Sequence, residues 1–457
     1  MTISCVTTDP DIRKSASRDA SGLELIPEAV ARPRTREDVI ELLRTATRTR
    51  VPLTIAGGQT STTGASLTDR GTLMSMLGLT GIHDVDRTAA SVRVAPGELL
   101  GPLKRTLAAE GFLLAPDPTS EEDCTVGGAV ACNASGARSL RFGATRAHVR
   151  ALTVALASGD VIEVRRPLLE KNTVGYAPVQ DLVDWFVGSE GTLGVILQVE
   201  FGLLPLPAWV LGLSIPFPTG ADALAFVVAA RQSATLAPRC LEYLDQNAFS
   251  IARDAAHDMS WAANAAALIY TEISGDEFSE PALDDWLALA SRFHAHEDDI
   301  RVYEGDAALR DARRLRHAVP AAMYERAAPY RAHGGRRVST DWSVPYTRLS
   351  DALAVSRREV AARGLEPPVT FGHAGSGHPH QNFIARDKEE LALVTDAVSA
   401  TLREVIAMGG TVAAEHGIGK LKARWLPLQM SATQQAMMRA IKRELDPYHL
   451  LSPGNIL

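Results

Sequence analysis

Cysteine is scarce in this chain of 457 residues, and what there is does not pair by spacing. Cys5, Cys124, Cys132 and Cys240 form no CxxC, so neither a zinc knuckle nor a disulfide framework is indicated. Positive charge is not in surplus either. Lysine and arginine total 47 against 54 acidic residues, a net charge of −7, so nothing favours nucleic acid or anionic lipid as a partner. No run approaches the roughly 18 apolar residues that a membrane-crossing helix needs. The opening MTISCVTTDPDIRKSASRDASG has no apolar core of a signal peptide. These absences predict a cytoplasmic protein, with peripheral attachment to the inner membrane left open. Several motifs are missing too. There is no GxGxxG after a strand, no Walker A, no HExxH and no GxSxG.

What is there is a globular composition, 46% hydrophobic and 22% charged, long enough for two or three domains. Residues 1–24 read as a polar arm. Thr35 caps a helix with Asp38 in its first turn, and Val39, Leu42, Leu43 and Ala46 follow at helical spacing. A strand over Val51–Ile55 then meets Gly57-Gly58, a turn whose backbone N–H groups could cradle phosphate. A second stretch, 116–145, is rich in small residues and lacks helical period, so it reads as a long functional loop. Residues 151–164 read as a hairpin turning at Ser158-Gly159-Asp160. A third glycine cluster, GSEGTLG, spans 188–194. Pro205 and Pro207 close this first domain. Helical patterns near 220–235, 281–296 and 306–328 between short strands then predict a separate α+β domain. Arg316 lies in the last of these, where it is either a solvated helix face or a carboxylate partner.

Phe371–Asn382, FGHAGSGHPHQN, holds three of the twelve histidines: His373, His378 and His380. Imidazole is the commonest protein ligand for a divalent transition metal. His373 and His380 have opposite parity, so one regular strand would point them to opposite faces. The Gly375-Ser376-Gly377 interruption supplies a bend that could bring them to one point. Glu415 and His416, in AAEHGIGK, offer a carboxylate ligand and a base. From this segment alone, a metal site and a merely hydrogen-bonded loop stand about equal. The tail ELDPYHLLSPGNIL is compact and apolar, and is expected to pack back on an earlier domain.

Taken in order, IAGGQTSTTGAS, CTVGGAVACNASGARSLRFGAT, GSEGTLGVI, FGHAGSGHPHQN, AEHGIGK and DPYHLLSPGNIL resemble the FAD-linked oxidase family of the vanillyl-alcohol oxidase fold. The branch is that of the D-lactate, glycolate and D-2-hydroxyglutarate dehydrogenases. The resemblance implies an α+β protein: a two-subdomain FAD-binding domain at 25–207, an α+β substrate cap at 208–435, and a segment at 436–457 returning to the FAD-binding domain. It implies that Gly57, Gly58, Gln59, Thr60 and Ser61 hold the FAD pyrophosphate. Thr125, Gly127, Gly128, Asn133, Gly136 and Gly143 would line pyrophosphate and isoalloxazine. Glu190, Gly191, Ile196 and Asn455 would lie around the nucleotide. His373, His380 and Glu415 match metal ligands, for zinc or manganese. His416 matches the catalytic base, and Arg316 and Asn382 match substrate-contacting positions. The implied reaction is oxidation of a D-2-hydroxy acid, D-lactate-like, to the 2-oxo acid. The C2 hydrogen would pass as hydride to flavin N5.

Three departures carry expectations of their own. Relatives read GDGN where this chain has Gly375-Ser376-Gly377-His378, which alters the surroundings of the metal. A substrate-contacting lysine of some relatives is Ser339 here, which argues against a second carboxylate in the substrate. Gln59 stands where a flavin-linking histidine would, so FAD is expected to be noncovalent. The electron acceptor is left open between a quinone, an electron-transfer flavoprotein and a cytochrome, as is a homodimer. An oxygen-using oxidase and a noncatalytic flavin subunit of a dehydrogenase complex are the alternatives. The Glu415-His416 pair argues against the second.

Overall fold

The computed structural model describes residues 5–275 and 280–457; the expected arm's residues 1–4 lie outside them. The chain divides into two compact units. One comprises the chain up to Ser135, Gly143–Leu206 and Glu415–Leu457; the other comprises Gly136–Phe142 and Pro207–Ala414.

Among its described residues the first unit contains two larger sheets and a two-stranded ribbon that pairs Phe112–Leu113 with Leu204–Pro205. In the first sheet, Ala29–Ala31 and Leu53–Ala56 both run parallel to Thr72–Ser75, and Val6–Thr7 adds an antiparallel edge. The helix Arg36–Thr49 covers it. Thr35 and Asp38 form a reciprocal capping box at its start, an arrangement worth about 1 kcal/mol. Val39, Leu42, Leu43 and Ala46 are buried on one stripe against Leu53 and Met74. The second sheet is antiparallel, in the order Ile82–Asp86, Ser91–Val94, Val195–Gly202, Val149–Ala155, Val161–Arg165. The hairpin at 151–164 is its far edge. The tail closes on this unit through paired backbone groups: Leu53 N donates to Leu450 O at 2.8 Å and Ser452 N to Leu53 O at 2.7 Å. Buried Lys442 ties the last turn down, donating to Thr192 O (2.6 Å), Leu451 O (3.0 Å) and Asp446 (2.5 Å).

The second unit is built on a seven-stranded sheet. Its order is Arg301–Glu304, Trp209–Phe217, Ala267–Gly275, Cys240–Asp245, Val369–His373, His378–Asp387, Gly334–Ser339, and every pairing is antiparallel. The register settles which side chains share a face. Glu272 lies opposite Cys240 and Tyr270 opposite Glu242. Phe371 lies opposite His380 and His373 opposite His378. Asn382 lies opposite Ser339. Because side chains alternate, all of these and Arg337 project from one face. The helix Gly305–Ala327 packs over that face, with Val319 and Met323 buried against Val369 and Phe371.

Three segments differ from expectation. The arm is not loose: Val6–Thr7 joins a sheet, Asp9 caps the helix Pro10–Ser15, and Arg13 Nε donates to Pro27 O at 2.6 Å. Its polar residues are spent on local backbone bonds, which a composition reading cannot see. The stretch 116–145 contains the helices Val126–Cys132 and Ser139–Phe142. Glycine and alanine there replace a helical stripe because the first helix packs backbone-close. A Cβ on Gly127 would lie 2.7 Å from Pro96. Finally, the second unit ends at Ala414, not at 435, and gains Gly136–Phe142. Residues beyond 414 are bonded into the first unit instead, Ile418 and Gly419 to Glu190 and Lys420 N to Thr63 O.

Candidate active site

In the first unit the strand Leu53–Ala56 ends in Gly57–Ser61. Among the described residues, none of the five backbone N–H groups from Gly57 to Ser61 makes a hydrogen bond, although all five residues are half-buried. Backbone donors shielded this far are nearly always paired. A row of them after a strand is a cradle for an anion such as a pyrophosphate. The segment Asp123–Thr125 presses on this loop, and a Cβ on Gly58 would fall 2.0 Å from Asp123 O. Gln59 has φ +53°, and its amide donates to Ala16 O (3.0 Å) and Arg18 O (3.2 Å). Ser61 Oγ accepts from Thr63 N, and Thr60 is half-buried beside it.

The other residues expected around FAD are placed as follows. Thr125 caps the helix that carries Gly127 and Gly128, accepting from Gly128 N. Asn133 is left-handed and accepts Arg146 N at 2.9 Å. Gly143 stays in this unit, whereas Gly136 belongs to the second. Ile196 is a core residue of the five-stranded sheet. Two side chains and one glycine are committed within the protein. Glu190 accepts Ile418 N (2.6 Å) and Gly419 N (2.8 Å). Asn455 bonds Ala65 O, Glu190 O and Lys420 Nζ. A Cβ on Gly191 would meet Ser452 of the tail at 2.9 Å. Burial pushes the Glu190 carboxyl above its ordinary range, even though those two N–H groups and nearby lysines pull it down. Burial likewise lowers Lys420 to about 8.

Glu190 therefore holds the turn that follows His416. Gly417 has φ +74°, and a Cβ there would lie 2.5 Å from Glu190 Oε1, so only glycine suits the position. His416 Nε2 is 3.3 Å from Glu415 Oε1. Ser135 Oγ donates to Glu415 Oε2 at 3.3 Å.

In the second unit, the Ala374–Ser376 turn and left-handed Gly377 reverse the chain, so His373 and His380 stand on adjacent strands instead of one. That resolves the parity problem. His373, His378 and His380 are all at least 95% buried. Their ring centroids are 4.5–5.3 Å apart, and one ring nitrogen of each lies within 4.8 Å of the others. Buried imidazoles this close suit a divalent cation far better than they suit one another's protons. His373 Nδ1 contacts Glu242 Oε1 at 2.7 Å, and His378 Nε2 lies 3.1 Å from Asp341 Oδ1. A carboxylate on one ring nitrogen fixes the tautomer and leaves the other for a ligand.

Arg316 lies beside the histidines. Its Nε pairs with Glu242 Oε2, and its Nη2 lies 3.3 Å from His373 Nε2. Burial raises the Glu242 carboxyl, but the His373 and Arg316 charges outweigh that and hold it well below its ordinary range. Asn382 is 1% exposed and accepts Arg337 Nε at 2.6 Å. The sequence reading missed Glu242 and Asp341. For Glu242 a signal existed: a carboxylate in the middle of CLEYLD, a strand otherwise apolar at its centre, must find a buried partner.

Comparison with known proteins agrees with both units. The model of an FAD binding domain matches residues 27–165, and that of the FAD linked oxidases, C-terminal domain, matches residues 206–456. The glycolate oxidase subunit GlcD of Bacillus subtilis (strain 168) is 30% identical over 436 residues, covering 94% of this chain and 89% of that one. The D-lactate dehydrogenase of Anaerostipes hadrus and the D-2-hydroxyglutarate dehydrogenase of Xanthomonas citri pv. viticola are each 29% identical over 445 residues, with the same coverage. Among solved structures, alkyldihydroxyacetonephosphate synthase superposes with a TM-score of 0.73 at 18% identity, over 98% of this chain and 83% of that one; it shares the fold. No helix among the described residues is long and apolar enough to cross a membrane. With one family model matching more than half its length and a relative aligned almost end to end, this chain belongs to the FAD linked oxidases.

Proposed function

We propose that this FAD-dependent oxidoreductase oxidises a D-2-hydroxy acid to its 2-oxo acid. The observation that carries the reading is the buried trio His373, His378 and His380, with His373 anchored by Glu242. The relatives named for D-lactate, glycolate and D-2-hydroxyglutarate supply the substrate class. FAD, when bound, supplies the hydride acceptor, and the unbonded amides of Gly57–Ser61 fit its pyrophosphate. A divalent cation, zinc or manganese, would be held by His373 and His380, with His378 standing beside them, and would lower the pKa of the substrate hydroxyl.

The chain's own residues do the rest. His416 takes the hydroxyl proton as a general base. Arg316, whose Nε faces Glu242, orients the C1 carboxylate. Asn382 contacts the substrate from the same face. Glu190 holds the backbone that presents His416. The experiment is anaerobic: the yellow protein is mixed with D-lactate, D-malate or D-2-hydroxyglutarate, before and after chelation. Bleaching by at least one acid, slowed by chelation with FAD retained, is the expected result. A flavin that none of them reduces would overturn the reading.

A further inference from the structure

Arg337 is a half-buried cation. Its Nε donates to Asn382 Oδ1 at 2.6 Å, and its guanidinium lies 4.2 Å from the centre of the Tyr324 ring. Among the described residues no carboxylate pairs with it. Its neighbours on the same sheet face are treated otherwise: Arg313 and Arg138 pair with Glu272, and Arg316 with Glu242. Burying a guanidinium without a counter-charge is costly, and arginine does not escape by losing its proton. Burial indeed depresses the Arg337 pKa.

Asn382 points the same way. A guanidinium only donates, so the Asn382 oxygen must face it and the amide NH2 must face away. That NH2 is buried with no hydrogen-bond acceptor among the described residues. A buried amide donor without an acceptor and a cation without a carboxylate among the described residues thus sit side by side at one end of the histidine face. Asn382 follows His380 by two positions on one strand, about 7 Å along the chain, the length of a short carbon chain. The expectation against a second carboxylate rested on Ser339 alone. Arg337 precedes Ser339 by two positions on the same strand and so lies on the same face.

We infer that Arg337 and the Asn382 amide form the subsite for a second carboxylate, so that the substrate is a 2-hydroxy dicarboxylate. This rests on the proposed oxidation of a 2-hydroxy acid and specifies the far end of that substrate. With the hydroxyl at the histidines, the far carboxylate accepts from Arg337 in a charge-assisted pair and from Asn382 Nδ2.

The test separates the two claims. The holoenzyme is assayed with D-2-hydroxyglutarate, D-malate and D-lactate, and glutarate binding is measured by calorimetry, since glutarate has no hydroxyl to oxidise. Wild type is expected to prefer a dicarboxylate to D-lactate in kcat/KM and to bind glutarate. Arg337→Gln is expected to lower the dicarboxylate-to-lactate ratio about 10- to 100-fold, the worth of one charged hydrogen bond, and to weaken glutarate binding in parallel. Arg337→Lys should recover part of both. A wild-type ratio near one, or a ratio that Arg337→Gln moves less than about threefold with FAD content intact, overturns the subsite. If Arg337→Gln loses FAD, the same criterion is applied to Arg337→Met. Failure of every acid to reduce the flavin, with glutarate still bound in an Arg337-dependent way, would sink the proposed oxidation and leave the subsite standing.

Discussion

Replacing Glu242 by glutamine keeps its size and one acceptor but removes its charge. In the structure the carboxylate is 1% exposed, with one oxygen 2.7 Å from His373 Nδ1 and the other on Arg316 Nε. Glutamine leaves the Arg316 guanidinium without its counter-charge in a site where Arg316 is 11% exposed. Breaking a buried pair costs about 3–5 kcal/mol. The retained amide oxygen argues for the lower end, about 3 kcal/mol. For a unit of this size that is a fall in Tm of roughly 6–12 °C. A second effect is chemical. His373 loses the carboxylate that orients its ring, and such losses cost about 10- to 100-fold in metal affinity. Differential scanning fluorimetry and competition with a chelator for zinc and manganese measure the two effects separately, and FAD content controls for the first unit. A Glu242→Gln protein with wild-type metal affinity and an unchanged Tm would refute the reasoning, because the pair would then be carrying neither load.

Acid precipitation should release the yellow chromophore into the supernatant, since Gln59 spends its amide on Ala16 and Arg18 carbonyls and offers no nucleophile to the flavin; colour left in the pellet would contradict this. Glu200 accepts from Arg165 and Arg93, and its carboxyl is held at about 2 against an ordinary 4.5. A depressed carboxylate stabilises fully above about 4.5 and loses that contribution as pH falls towards 2. Glu200→Gln should therefore cost about 1–2 kcal/mol at neutral pH, discounted because both arginines are about half exposed, and chemical denaturation curves of variant and wild type should converge as pH drops through that window. His416→Ala should slow anaerobic flavin reduction at saturating substrate by about 10²- to 10⁴-fold, with an unaltered saturated rate removing it as the base. Arg316→Ala should raise KM and also lower Tm, because it strands Glu242 as well as the substrate carboxylate; stopped-flow reduction and fluorimetry on one preparation test both halves.

Local signals carried much of the site. The capping box at Thr35 and Asp38 was legible because it depends on residues three apart. The His373–His380 segment declared itself because its glycines mark a reversal. What sequence could not supply was partnership over distance. Glu242 meets His373 across 131 residues, and nothing near Glu242 identifies which buried cation it will find. The end of the second unit was misplaced for a related reason. Residues 415–422 are held by backbone N–H groups on Glu190 and by Thr63, and backbone bonding leaves no mark on residue type. The helix Val126–Cys132 was hidden because its close packing needs glycine and alanine, the residues that otherwise signal a loop.

The charges gathered on the second unit's sheet explain why an anion belongs there at all. Arg138, Arg239 and Arg313 surround the single carboxylate of Glu272, which Tyr270 also reaches at 3.0 Å. Arg316 is matched by Glu242, and Arg337 by no carboxylate among the described residues. Guanidinium thus outnumbers carboxylate along a buried face, and a divalent cation on the histidines would widen the excess. Such an excess raises the energy of the empty face and lowers that of any anion bound to it. Screening by salt is weak where water is excluded, so the preference should survive high ionic strength. A neutral 2-hydroxy compound of the same shape, such as the amide of the acid, gains nothing from these arginines. It should bind more weakly than the acid by at least the tenfold that one charged hydrogen bond confers, and the gap should persist at molar salt.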